Sequence, residues 1–225
     1  MNKIFQLSTF GVLVCAGFMV LSAQEPRAKP STASPSPLEL GLLVDNSGSL
    51  RSHFQKVIDV SKGIVESAQA GDRLFIVRFV SADKITIVHD FTTNKSPLTE
   101  ALEGMYVEGG LSAITDAVYM AAEHLDKNGG SEGQKRALIL ITDGADEGSF
   151  YKTERLLSLL REKEVRVYVI GFPQALGQQS LKVQERARKY LIRLADESGG
   201  RLYFPTTKTD VEKVASSVLH DIRNQ

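Results

Sequence analysis

Residues 38–49 read LELGLLVDNSGS: an almost unbroken apolar run, interrupted by Glu39, that stops at Asp45 and continues as amide, hydroxyl, glycine, hydroxyl. A strand that faces solvent on one side alternates polar and apolar residues. This run does not, so it reads as a strand covered on both faces, as in a parallel sheet between layers of helices. A second run of the same kind, ALILIT at 137–142, stops at Asp143.

Outward from these two runs, strands and helices alternate. Phe54, Val57, Ile58, Val65 and Ala68 recur at helical spacing, and Gly71-Asp72 turns the chain into a strand over Leu74–Val80. Lys84–His89 alternates, with Ile85 and Ile87 on one side, as a half-exposed edge strand does. Ile114, Ala117, Val118, Ala121, Ala122 and Leu125 predict a helix of three turns. Beyond 142 the pattern predicts a helix over Tyr151–Lys163, a strand over Val165–Ile170, and a helix marked by Ala187, Tyr190, Leu191, Leu194 and Ala195 that Gly199-Gly200 ends. A short strand at Leu202–Phe204 and a last helix over Asp210–Ile222 follow. Such alternation implies one doubly wound, Rossmann-like α/β domain over residues 38–225, with helices on both faces of a mostly parallel sheet.

Two segments precede that domain. Lys3 and the apolar run Phe10–Leu21, closing on Leu21-Ser22-Ala23-Gln24, have the charged start, short apolar stretch and small-residue end of a secretory signal peptide at 1–23. About a dozen apolar residues are too few to span a bilayer, which needs about 20. The single cysteine, Cys15, lies in this segment behind Val14, where a lipoprotein would have a small residue. Residues 24–37, rich in Pro and Ser, read as a flexible linker. The expectation is an exported protein, periplasmic or secreted, with no membrane insertion once the leader is removed.

Lys+Arg and Asp+Glu balance at 27 each. That balance supplies no basic face for nucleic acid. His53, His89, His124 and His220 are scattered without metal-binding spacing.

In an open α/β sheet, ligands sit beyond the carboxyl ends of the strands. Three loops reach that edge here: Asp45-Asn46-Ser47-Gly48-Ser49, Gly109-Gly110-Leu111-Ser112, and Thr142-Asp143-Gly144-Ala145-Asp146-Glu147. They offer carboxylate and hydroxyl oxygens and no His or Cys, a set that suits Mg²⁺, Ca²⁺ or Mn²⁺ and not Zn²⁺. Alternate residues of an extended segment point the same way, so Asp45, Ser47 and Ser49 can converge, with Gly48 permitting a tight turn. Two carboxylates among neutral hydroxyls would leave a bound cation able to attract a further acidic group.

Asp45-x-Ser47-x-Ser49, with the Gly-Gly loop and the Thr-Asp-Gly after strand four, resembles the metal-ion-dependent adhesion site of the von Willebrand factor A domain family. The resemblance covers about residues 38–222. It implies a sheet with one antiparallel edge strand, Ser47 and Ser49 as direct ligands of Mg²⁺ (Mn²⁺ or Ca²⁺ in its place), and Asp45 and Asp143 acting largely through waters and hydrogen bonds. The family's second loop supplies a threonine; Ser112 stands at the matching position, and Thr115, one helical turn on, is the alternative. Non-enzymatic binding of a partner protein's Glu or Asp carboxylate is the implied function, with a last helix able to shift and change affinity.

Two other readings compete. A Mg²⁺-dependent phosphohydrolase of the haloacid dehalogenase type also has an Asp ending its first strand, but needs a second Asp two residues later, where this chain has Ser47. A metal-free scaffold is the other. Phe150, Tyr151 and Phe172, just after carboxyl ends of strands, read as core residues, with anchors for a partner at the rim as the alternative, and Asp146 and Glu147 read as exposed loop carboxylates.

Overall fold

The protein is described by a computed structural model covering residues 36–130 and 134–224. The leader and nearly all of the linker read from the sequence lie outside those residues. The chain folds as β1 (Leu38–Asp45), α1 (Phe54–Ser67), β2 (Arg73–Phe79), β3 (Ile85–Thr92), α2 (Lys95–Glu103), α3 (Ile114–Asn128) and β4 (Lys135–Thr142). It continues through α4 (Thr153–Glu162), β5 (Arg166–Gly171), α5 (Leu181–Glu197), β6 (Leu202–Tyr203) and α6 (Lys208–Asn224).

The six strands form one sheet in the order β3-β2-β1-β4-β5-β6, parallel throughout except for β3, which pairs antiparallel with β2 at the edge. This is the expected doubly wound α/β sandwich. One face carries α1, α2 and α6 over Leu40, Leu42, Val44, Ile76, Ile139 and Ile141; the other carries α3, α4 and α5 over Leu43, Phe75, Val77, Leu138 and Leu140. All eight residues of β1 are buried, so an alternating pattern was never available to it.

α2 is the element the apolar periodicity does not announce. Asn94 caps it by accepting from the Ser96 N–H (3.1 Å), Pro97 sits in its first turn, and only Leu98 and Leu102 are buried. α5 begins at Leu181, before the first buried position at Ala187, because Ser180 caps it. β3 runs on to Thr92, beyond its alternating stretch.

Two buried carboxylates fasten the edge of the sheet opposite the strands' carboxyl ends. Glu39 accepts from Arg73 (2.6 Å) and from the Gly130 N–H (2.7 Å). Asp72 accepts from the Leu38 N–H (2.9 Å) and the Gln69 N–H (2.7 Å), and pairs with the Arg223 guanidinium at the end of α6.

Candidate metal centre

Strands numbered one to three run outward on one side of the sheet and four to six on the other, so the order reverses between β1 and β4, which pair directly (Val44 with Ile141). At a reversal the two following connections leave to opposite faces and open a crevice at the carboxyl ends of both strands. Asp45 ends β1 and Asp143 follows β4, so both carboxylates are delivered to this crevice and both are fully buried.

The first loop folds back on itself. Asp45 Oδ1 accepts from the Ser47 N–H (2.9 Å), Ser47 is extended, and Gly48–Leu50 makes one 3₁₀ turn. That turn, and not a continued strand, brings the Ser47 and Ser49 hydroxyls within 3.2 Å of each other. Gly48 is less constrained than the sequence suggests: its φ is not in the left-handed region, and a Cβ there would meet nothing nearer than Glu108 O at 4.0 Å. Asn46 ties this loop to the second one. Its side chain donates to Tyr106 O (2.8 Å) and its carbonyl accepts from the Glu108 N–H (2.8 Å).

The second loop brings in Ser112, whose hydroxyl donates to Asp45 Oδ2 (3.2 Å). Thr115, the alternative, faces away. Its hydroxyl donates to Asp146 Oδ2 (2.5 Å) and meets the Tyr190 hydroxyl at 2.9 Å. Asp146 is not the free loop carboxylate the sequence suggests. It accepts from the Ile114 N–H (3.0 Å), Thr115 and Ser149 (2.6 Å), and so caps α3 from 32 residues away. Beside it the Tyr190 hydroxyl is buried, and burial followed by the Asp146 charge pushes its ionisation far above the usual range.

The third loop contributes Thr142 and Asp143. Thr142 donates to Asp45 Oδ2 (2.6 Å), while Asp143 Oδ1 accepts from the Ala145 N–H (2.9 Å). Gly144 turns the chain at φ +90°, and a Cβ there would lie 2.8 Å from Leu191 Cγ on α5. Gly144→Ala is therefore expected to cost about 1–2 kcal/mol for the left-handed backbone alone, with the clash adding to it. A denaturation midpoint equal to that of the unmodified protein would contradict this.

The donors can be weighed against a hard cation. Asp45 has both carboxylate oxygens occupied by N–H and hydroxyl donors, so it acts through what it orients. Asp143 Oδ2 is buried with no hydrogen-bond partner among the described residues. Burial, then the Asp143 charge, pushes the Asp45 carboxyl up to about 7 against the pull of Thr142 and Ser47. Burial likewise raises Asp143, with the Ser49 hydroxyl and the Ala145 N–H offsetting only part of it. Two carboxylates that repel each other, an orphan oxygen and two adjacent hydroxyls are what a Mg²⁺-like ion would relieve. The residues fit the cation.

The sequence reading therefore named Asp45, Ser47, Ser49, Ser112 and Asp143, and the fold brings all five to one crevice. It missed Asn46, Thr142 and Asp146 as the residues that hold the three loops to one another. Their partners lie 60, 97 and 31 to 32 residues away, so no local spacing announces them. The aromatic residues divide. Phe172 is buried as expected, but Phe150 is 84% exposed and Tyr151 40%, because their loop lies over the rim and not under it.

Comparison with known proteins places these features in context. The profile of the von Willebrand factor type A domain matches residues 39–218. An uncharacterised protein of Synechocystis is 27% identical over 148 residues; the match takes in 65% of this chain and 34% of that one, so the chain spans about a third of that relative. The conserved hypothetical protein BatB of Bacteroides thetaiotaomicron superposes with a TM-score of 0.64 at 17% identity, covering 84% of this chain and all of that one. The open conformation of the pilus adhesin SpaC of Lactobacillus rhamnosus GG gives 0.65 at 16% identity, over 84% of this chain and 30% of the adhesin.

Proposed function

Because the chain belongs to the von Willebrand factor type A domain family, we propose that it is a divalent-cation-dependent protein-binding module. Domains of this family are generally interaction modules, and many bind a divalent metal. The observation that carries the finer reading is the buried Asp45–Asp143 pair, its orphan Asp143 Oδ2, and the Ser47 and Ser49 hydroxyls 3.2 Å apart beside it. Ser47, Ser49 and Ser112 would hold the ion, Mg²⁺ in the first instance. Asp45 and Asp143 would neutralise part of its charge and orient the hydroxyls. When bound, the ion supplies an under-neutralised positive centre to which a partner's Glu or Asp carboxylate can add. The pilus adhesin among the similar structures supports a place outside the cytoplasm or in the envelope, in line with the leader read at residues 1–23.

Proton linkage gives this reading a test. Asp45 is pushed above its unfolded value of 3.8 to about 7, so protonation favours the metal-free fold. That contribution is full below about pH 4 and is lost as the pH rises to about 7. A cation at the site substitutes for the proton over the same window. Millimolar Mg²⁺ is thus expected to raise the melting temperature more at pH 8 than at pH 5. An equal shift at both pH values, or none at either, would count against the metal.

A further inference from the structure

Around the crevice the surface carries exposed apolar side chains on one side and two exposed cations on another, with the Glu147 carboxylate on the third loop between Asp143 and Phe150 in the chain. Leu111, next to Ser112, is 59% exposed, and Phe150 is 84% exposed. The two belong to loops bonded to each other, since the Glu147 and Gly148 N–H groups both donate to Ser112 O (3.0 and 2.9 Å). Phe150 is not a loose side chain on a wandering loop. The Asp116 carboxylate, in the first turn of α3, accepts from the Phe150 and Tyr151 N–H groups at 2.8 Å each, and Tyr151 stacks on Tyr119 with centroids 4.0 Å apart. An exposed aromatic held this firmly loses little freedom on binding, which is the property of an interface anchor.

The basic side comes from α5. That helix joins the parallel strands β5 and β6, so it runs opposite to them and its first residue lies beyond their carboxyl ends. Ala187 O and the Leu191 side chain pack against Gly144, directly after Asp143. At 1.5 Å per residue, Leu181–Arg186 rises about 9 Å past that level. This wall carries Lys182 and Arg186, both exposed and in no ion pair among the described residues; Glu185 between them pairs with Lys189 (2.8 Å), and Leu181 is 82% exposed.

We propose that this rim selects a partner segment in which an Asp or Glu stands next to a large apolar residue: the carboxylate goes to the metal centre, the apolar side chain to Leu111 and Phe150. Lys182 and Arg186 supply charge complementarity to an acidic segment. The inference rests on the metal-dependent reading above and names the partner chemistry that reading leaves open. Burial of one Leu- or Phe-sized side chain corresponds to about tenfold or more in affinity.

Two synthetic nonapeptides test it, each with one central Asp, flanked by Leu and Phe in the first and by Ser in the second. They are titrated by NMR to millimolar concentration in Mg²⁺. The first is expected to bind at least tenfold more tightly. In L111S/F150S that advantage disappears while the Mg²⁺-induced thermal shift stays as in the unmodified protein, which shows that the variant is folded and loaded. Equal affinity for the two peptides, binding of neither, or an advantage that survives in the double variant overturns the docking surface. An apolar advantage that is lost in L111S/F150S but unchanged in EDTA keeps the apolar contact and overturns the metal reading alone.

Discussion

Asp143→Asn is expected to make the metal-free protein more stable and to abolish its response to Mg²⁺. Function and stability pull in opposite directions at this residue. Burial, with the Glu147 charge behind it, penalises the ionised carboxyl; the Ser49 hydroxyl and the Ala145 N–H offset only part of the cost, and Asp143 Oδ2 has no hydrogen-bond partner among the described residues. An amide keeps the Oδ1 acceptor for the Ala145 N–H and removes the charge that repels Asp45. A gain of about 1 kcal/mol corresponds to about 2–4 °C in a domain of this size. The same change takes from a cation one of its two carboxylates, so added Mg²⁺ should leave the melting temperature of the variant where it is. A variant less stable than the parent in EDTA, or one that still responds to Mg²⁺, would show that Asp143 is a structural residue and not half of a metal site.

The second large effect lies at the opposite edge of the sheet. Asp72→Ala removes the partner of Arg223, whose side chain is only 12% exposed, and unpairs the Leu38 and Gln69 N–H groups at the entry to the first two strands. Breaking a buried pair by removing one member costs about 3–5 kcal/mol, a large share of the 5–15 kcal/mol that domains of this kind possess. The melting temperature should fall by on the order of 10 °C, and Asp72→Ala with Arg223→Met should recover part of the loss. A drop of only a degree or two would mean that water already compensates the pair.

This pair also bears on movement. The family resemblance implies a last helix that shifts with the metal, but α6 is anchored by Arg223 to Asp72, by Asp221 to Arg201 (2.6 Å), and by Lys135 to the Arg223 carbonyl. An axial shift large enough to break the buried pair costs about 3–5 kcal/mol, above the roughly 1–3 kcal/mol typical of coupling between sites. Hydrogen exchange of the α6 amides is therefore expected to be the same in Mg²⁺ and in EDTA.

What the sequence made legible follows from how each feature is encoded. β1 and β4 are buried on both faces, and that condition writes itself as uninterrupted apolar runs ending in Asp45 and Asp143. α3 shows its stripe over three turns. α2 did not, because two buried leucines in nine residues make no stripe, and its signal is the cap at Asn94 with Pro97 behind it. Asp45, Ser47, Ser49 and Asp143 stand in fixed local patterns. The choice of Ser112 over Thr115 depends on Asp146 claiming Thr115 from another loop, a contact between residues 31 apart that no window reveals. For Phe150 the exposed alternative holds over the core one, for a similar reason. An aromatic after a strand usually packs inward, but the Asp116 carboxylate turns this backbone over the rim instead.

The direct measurement is capture of envelope and culture-medium proteins of the source organism on the immobilised protein, in Mg²⁺ and in EDTA, with Asp143→Asn as control. Partners retained in Mg²⁺, released by EDTA and absent from the Asp143→Asn column are the expected result. Retention that is indifferent to EDTA and to the substitution would contradict metal-dependent binding at this site.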